Sequence, residues 1–411
     1  MKRTSAFAIF ACARLGGLVS SGMKRIASYR LLPLDSLAVC GTFCTLVLGV
    51  ASEGCGSSSE TKSDGTTPSG PSNSVFLFDG DCTKPAGVPA PHYRKGAGPA
   101  PDLFVSSPDG LFGVVFQASV GTDSEFAFVR VDPAGQNVFP IIASWNIASE
   151  TDTANPGTHL VKSDRYFATE YYFASVDDTQ VNPLPEAAPG PIATFGGTLF
   201  RATRNVVNGI SGEAKVQLIN PISNEDSWQD LGSLPATFSA TGVVADESNV
   251  YVYGLDSESA GSSFRRFDRK NRQQTSLDLG ADIDPKRNGG LSQTTNEVFA
   301  GSARNGSWGI SVATKGAGSK AKFFPSSLAP GEEIATVLVD KASIYYGVGP
   351  RIAQAVGRNS GLFPKSIRRM CLDGSNDVEV LGRQEFGINA FVIDATKMYY
   401  QTGSILYSLT K

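Results

Sequence analysis

The chain has 411 residues, is 41% apolar, and sets 36 basic against 39 acidic side chains for a net charge of −3. That near-balance gives no electrostatic drive toward nucleic acid or an anionic membrane surface, and two histidines, His92 and His159, are too few for His-rich metal sites or paired-histidine catalysis. The 44 glycines, 23 prolines and low charged fraction of 18% suit many short strands joined by turns, not long helices.

Residues 1–55 read as an export segment. A second Met-Lys-Arg makes Met23 an alternative start: Lys24, Arg25 and Arg30 lead into the apolar run SLAVCGTFCTLVLGVA, 36–51. This run is shorter than the ~20 residues of a transmembrane span and fits a signal peptide. Gly54-Cys55, followed by a serine-rich polar run, resembles the processing site of bacterial lipoproteins, in which the cysteine is diacylated and becomes the mature N-terminus. The resemblance makes Cys55 the lipidation residue. That family usually has Leu where Ser52 stands, so ordinary cleavage after Ala51 is the alternative. Residues 56–73 hold too few apolar side chains for a core and read as a disordered tether with a reach of ~25 Å. Either processing route places the protein at the cell envelope or beyond, outside the cytoplasm.

The body, 74–411, is predicted to be one β domain. Its first strand-like run is SVFLFDG (74–80), followed by a Pro-rich surface loop around His92 in which Arg94 and Lys95 are solvated charges. A strand–turn–strand unit then recurs: FVSSPDGLFGVVF (104–116), LVKSDRYFATE (160–170), IATFGGTLFRA (192–202), VVADESNVYV (243–252), LSQTTNEVFAG (291–301), VLVDKASIYY (337–346) and FVIDATKMYY (391–400). The three strong copies place Asp246, Asp340 or Asp394 after an apolar triplet, then three turn residues, an aliphatic residue and Tyr251, Tyr345 or Tyr399. Aspartate fixes such a turn by accepting backbone N–H bonds two or three residues on. Turn positions near 107, 162, 195, 246, 294, 340 and 394 recur about every 48 residues, with one short step of about 33. Two further strand-like runs follow the strong anchors, as in SSFRRFDRKNRQQTSLDLG (262–280), GISVATKGAGSKAKFFP (309–325) and SIRRMCLDGSNDVEVLG (366–382). Four strands per repeat of this length is the signature of propeller blades.

The expected fold is therefore an all-β, seven-bladed β-propeller of four-stranded blades. The Asp–turn–aliphatic–Tyr pattern resembles the bacterial extracytoplasmic β-propeller repeat proteins, TolB-like and lipoprotein propellers among them. The last unit supplies only three strands, so 74–80 is expected to add the outermost strand of the final blade and close the ring with both ends of the chain. Cys82 follows that run and Cys371 lies in the preceding unit. A Cys82–Cys371 disulfide would staple the seam, the alternative being two separate buried thiols.

Chemistry is weakly marked. KGAGSK (315–320) has the wrong spacing for a phosphate loop and reads as a hairpin turn. Asp79-Gly80-Asp81, Asp177-Asp178, Asp282 with Asp284, and Asp373 to Asp377 match no EF-hand loop. No metal or cofactor site is assigned, and no Gly-x-Ser-x-Gly elbow occurs. His159 precedes a predicted strand and is read, like His92, as structural or solvated. Trp145, Trp228 and Trp308 do not share a register and are assigned to packing between blades, not to a quinone cofactor. Catalytic residues stay unidentified. The leading reading is a non-enzymatic scaffold or module whose loops bind a protein or saccharide, touching the membrane only through the N-terminal lipid. The competing reading is an extracellular hydrolase or lyase acting on sugars, which calls for acids, alone or with His159 or a Tyr, at the inner strand ends around the channel.

Overall fold

In the computed structural model the described residues lie between Cys82 and Lys411, without 85, 88, 94–102, 121–122, 132–140, 149–158, 178, 187, 208–209, 224, 257–263, 277–282, 316–320, 351–363, 385–386, 389 and 404. The export segment, Cys55, the tether and the 74–80 run all lie outside them.

Strand β1 (Ala90–Tyr93) comes first. Blade 1 holds β2 (Leu103–Ser107), β3 (Gly110–Val120), β4 (Asp123–Val131) and β5 (Ile141–Ala148), and blade 2 holds β6 (Val161–Lys162), β7 (Tyr166–Ala168), β8 (Tyr172–Ser175) and β9 (Val181–Pro183). Blade 3 is β10 (Ile192–Phe195), β11 (Thr198–Val207), β12 (Ile210–Ile219) and β13 (Gln229–Leu234), and blade 4 is β14 (Phe238–Ala245), β15 (Asn249–Asp256), β16 (Phe264–Asp268) and β17 (Gln274–Ser276). Blade 5 is β18 (Ile283–Gln293), β19 (Glu297–Arg304), β20 (Ser307–Thr314) and β21 (Lys322–Pro325), and blade 6 is β22 (Glu332–Val339), β23 (Ser343–Pro350), β24 (Ser366–Cys371) and β25 (Val378–Leu381). Blade 7 combines β26 (Ala390–Ile393), β27 (Lys397–Thr402) and β28 (Ile405–Thr410) with β1. Each sheet runs in simple antiparallel order, giving seven four-stranded blades. The first strands touch in succession, β26 to β2, β2 to β6, and on through β10, β14, β18 and β22, so they form the inner ring. The fold is a seven-bladed β-propeller.

Seven buried apolar clusters account for its cohesion, and each is shared by two neighbouring blades. One of them joins Phe104 and Leu111 of blade 1 to Tyr399 and Leu406 of blade 7, which closes the circle. Full burial of such a side chain contributes roughly 1.5–3 kcal/mol. The three tryptophans sit in these interfaces: Trp145 between blades 1 and 2, Trp228 between 2 and 3, Trp308 between 5 and 6.

The repeated aspartates do what their position demands. Oδ1 accepts the N–H of the residues two and three ahead in all three strong copies: Asp246 from Ser248 (2.9 Å) and Asn249 (2.8 Å), Asp340 from Ala342 (2.9 Å) and Ser343 (2.8 Å), Asp394 from Thr396 and Lys397 (2.7 Å each). The weaker copies substitute a hydroxyl: Ser163 accepts from Arg165 and Tyr166, and Thr294 from Glu297. Blade 3 uses Gly196 and Gly197 instead, both at positive φ (58° and 78°), which a two-residue hairpin turn of this hand requires.

A second repeat is invisible in the sequence. Arg269, Lys315 and Lys411 occupy one structural position, just past the third strand, where each backbone N–H bonds the first-to-second-strand turn of its own blade. From there each cation reaches the preceding blade. Arg269 lies 4.9 Å over the Phe200 ring, Lys315 is 3.1 Å from Asp246 and over Tyr251, and Lys411 is 2.8 Å from Asp340 and over Tyr345. The Lys411 and Asp340 side chains are 1% and 0% exposed.

The ring closes by an N-terminal strand, but the strand is Ala90–Tyr93 and not 74–80. Ala90 pairs with Ser408 and Pro91 with Tyr407, with an irregularity before Tyr93–Leu406. Pro91 lacks an N–H donor, which the outer edge of a sheet tolerates, and this proline-rich context is why APHY reads as a loop. His92 accordingly lies within a strand. The preceding segment is tied down by Gly87 N–H to Thr410 O (2.8 Å), by Asn376 Nδ2 to Cys82 O (2.9 Å) and by an Arg369 Nη2 bond to Lys84 O. Cys82 and Cys371 sit at disulfide geometry, with Cα atoms 5.3 Å apart.

Candidate functional site

Blade 2 is short: its strands have 2, 3, 4 and 3 residues, whereas β11 and β12 of blade 3 have 10 each. It therefore covers only part of the blade 3 face turned toward it. Strand alternation sorts the side chains. Ala202, Ala214 and Val216 point toward blade 4 and join its apolar cluster. Arg201 and Thr203 on β11, with Glu213, Lys215 and Gln217 on β12, line a cavity of about 590 Å³ together with Asp230, Trp228 and Glu186. The cavity is bounded by second, third and fourth strands, so it lies off the axis of the ring.

A continuous polar lattice builds its wall. Arg201 donates Nε to Gln217 Oε1 (2.8 Å) and Nη1 to Glu186 O (2.7 Å), and its guanidinium carbon lies 3.8 Å from the Trp228 ring centroid. Gln217 Nε2 donates to Asp230 Oδ1 (2.7 Å). Lys215 Nζ donates to Asp230 Oδ2 (2.7 Å) and lies 3.9 Å from Glu213 Oε2. Trp228 Nε1 donates to Pro185 O (2.7 Å), holding the segment after β9 across one side. The Arg201 side chain is 4% exposed, while Glu213 and Glu186 are 56% and 70% exposed. Arg201 is thus committed inside the wall, while Lys215 and the carboxylates reach the solvent.

These contacts set the titration behaviour. Burial pushes the Arg201 guanidinium down to about 10, against the pull of Glu186 and Asp230, so it stays charged at neutral pH. The hydrogen bond from Lys215 lowers the Asp230 carboxyl below its ordinary range, and the same bond raises Lys215. Glu213 and Asp230 share one ammonium, at 3.9 and 2.7 Å from it. Glycoside cleavage needs one carboxyl of such a pair protonated, and the bond from Lys215 favours the ionised form of Asp230. The lattice holds hydrogen-bonding groups in fixed positions on the cavity wall.

A second polar site stands at the inner ring. His159 immediately precedes β6, and Glu170 lies in the β7–β8 turn. His159 Nδ1 is 2.6 Å from Glu170 Oε1, and the His159 backbone N–H donates to Glu170 Oε2 (3.2 Å). The carboxylate side chain is 1% exposed and the imidazole 42%. The contact gives His159 a structural tie to Glu170, within the structural or solvated reading made from the sequence, and the same buried-acid-to-imidazole arrangement is one that general-base catalysis uses.

The acidic run near the end of blade 6 serves turns and packing. Asp373 caps its own turn, accepting from Ser375 N (2.9 Å) and Oγ (2.6 Å). Asp377 binds Arg368 Nε (3.0 Å), Ser326 Oγ (3.0 Å), Ser327 N (2.9 Å) and the Tyr346 hydroxyl, tying blade 5 to blade 6. Among the described residues no group of three His, Cys, Asp or Glu could hold a metal ion. KGAGSK falls in the connection between β20 and β21, of which only Lys315 is described. The cavity residues carry no motif that singles them out in the sequence. A fainter signal was present: polar residues alternate with small apolar ones in FRAT (200–203) and EAKVQ (213–217), just after the short repeat step.

No family model matches the sequence, and no curated protein matches it. Solved structures do resemble it. A catalytically inactive variant of virginiamycin B lyase from Staphylococcus aureus, solved with quinupristin, superposes with a TM-score of 0.51 at 10% identity, covering 79% of this chain and 99% of that one. The selenomethionine form of the same lyase gives 0.50 at 10% identity, with 79% and 98% coverage. A gluconolactonase from Xanthomonas campestris gives 0.41 at 12% identity, with 80% and 99% coverage. At these identities the likeness extends to the propeller fold and no further.

Proposed function

We propose that the protein is an exported propeller, anchored through Cys55 in the manner of lipoprotein and TolB-like propellers, that binds a small polar ligand in the cavity between blades 2 and 3. The observation that supports this is the cavity itself: Arg201, Glu213, Lys215, Gln217 and Asp230 on strands and Glu186 in the segment after β9 form one polar cluster around an open space, beside the apolar packing that blades 2 and 3 share. Ligand sites combine a preformed concavity with a few placed polar groups. A thermal-shift screen of small polar compounds tests the reading. Arg201→Met and Gln217→Leu are expected to abolish any ligand-induced rise in Tm, and a rise that survives both would move the site elsewhere. Mass spectrometry of the mature N-terminus tests the anchor, with acyl-Cys55 as the expected species and unmodified Ser52 as the refuting one.

The His159–Glu170 pair favours a second reading, an enzyme working at the channel mouth. It predicts that extracellular glycan depolymerisation, followed by release of reducing ends, disappears in His159→Gln and persists in Arg201→Met. Equal activity in His159→Gln would dispose of it.

A further inference from the structure

The cavity's charge pattern narrows the ligand class, provided that the cavity is the binding site proposed above. Two cations face it, and both are already engaged: Arg201 by Gln217 and the Glu186 carbonyl, Lys215 by Asp230 and Glu213. Three carboxylates face it as well, those of Glu186, Glu213 and Asp230. The local balance is therefore one negative charge in excess. A ligand carboxylate, sulfate or phosphate would meet that excess, and the cations it would approach are already neutralised by Asp230, Glu213 and Glu186.

The groups turned toward solvent are acceptors. The carboxylates of Glu186, Glu213 and Asp230 are 70%, 56% and 48% exposed. They arise from three different elements, the segment after β9, β12 and β13, and Lys215 already bridges two of them. Lys215, Gln217 and Thr203 add donors between them. A mixed lattice of this kind is matched by a ligand whose groups each donate and accept, spaced along a rigid frame. Hydroxyls on a sugar ring have that property. A cavity of 590 Å³ falls in the ~300–1,000 Å³ range that holds a drug-sized ligand, the bulk of a di- or trisaccharide. Arg201 covers the Trp228 ring, which leaves hydrogen bonding, and not stacking on the indole, to set selectivity.

We infer that the blade 2–3 cavity is a subsite for a neutral oligosaccharide, selected by its hydroxyl pattern and closed to uronate-bearing and phosphorylated sugars. Removing a hydroxyl from such a ligand loses its hydrogen bond to a carboxylate that water still reaches, so each deoxy change is expected to weaken binding modestly.

Isothermal titration of the mature protein decides the matter, using neutral trisaccharides (cellotriose, xylotriose, mannotriose, maltotriose), trigalacturonate, spermidine and ribose 5-phosphate as probes. At least one neutral trisaccharide is expected to bind with a Kd below about 1 mM, with trigalacturonate at least 10-fold weaker. In Glu186→Gln/Glu213→Gln, whose changes are at exposed positions and are checked for an unaltered Tm, neutral-sugar affinity falls 10-fold or more and the discrimination against trigalacturonate shrinks. Tightest binding by trigalacturonate, spermidine or ribose 5-phosphate, lost in Arg201→Met, would overturn the ligand class and leave the cavity as a binding site. Sugar binding untouched by both variants would overturn the location. No heat with any probe would overturn the binding reading itself.

Discussion

Asp340→Asn isolates the charge in one of the blade latches. Asp340 performs two tasks with two oxygens: Oδ1 caps the turn through the N–H groups of Ala342 and Ser343, and Oδ2 receives the Lys411 ammonium at 2.8 Å. Asparagine keeps the capping oxygen and replaces the other with an NH₂ group. The ammonium, on a side chain 1% exposed, loses its counter-charge without gaining water. Burial already depresses the Lys411 pKa, and Asp340 is the principal opposing influence. Breaking one side of a buried pair costs about 3–5 kcal/mol, and for a domain of this size that is a fall in Tm of about 4–7 °C. Asp340→Asn/Lys411→Met removes both charges while methionine occupies the lysine stem, and most of the loss is expected to return. Urea and thermal unfolding followed by circular dichroism give both numbers. Two results would refute the reasoning: an Asp340→Asn variant within about 1 kcal/mol of the parent, or a double variant as unstable as the single one.

Cys371→Ser is expected to lower stability under oxidising conditions only, by up to roughly 5–6 kcal/mol in the loop-entropy model for partners 289 residues apart, read as a fall in Tm; the same loss in reductant would mean no bond forms. Gly190→Ala places a Cβ 2.2 Å from the Ala202 carbonyl oxygen at φ +154°, so it is expected to cost about 1–3 kcal/mol and to weaken ligand binding by shifting the chain between Glu186 and β10; unchanged Tm and affinity would contradict the packing there. Asp230 carries a folded-state pKa lowered by Lys215, so its contribution is present above the ordinary aspartate value and is lost as pH falls through the depressed one. Ligand affinity is accordingly expected to be flat from about pH 5 to 8 and to drop below about pH 4, and a midpoint near 6 would implicate a different group.

The propeller was legible in the chain because its signals are local. A turn aspartate must sit next to the N–H groups it caps, and strands alternate residue by residue, so Asp246, Asp340 and Asp394 mark three blades without any knowledge of their neighbours. Even the substitutes, Ser163 and Thr294, kept the spacing. Closure was legible only in kind: a strand was missing from the last blade, but which N-terminal run supplies it depends on contacts with β28 that no short window contains, and Pro91 disguised the strand that does. The cation latches and the cavity depended on tertiary structure altogether. Lys315 and Lys411 meet Asp246 and Asp340 across blade boundaries about 70 residues apart in sequence, and the polar side of β11 and β12 becomes a site only because the short blade 2 leaves it uncovered. Strand pattern is written by near neighbours, whereas whether a polar face is filled, latched or left open is decided by the length of the blade that packs against it.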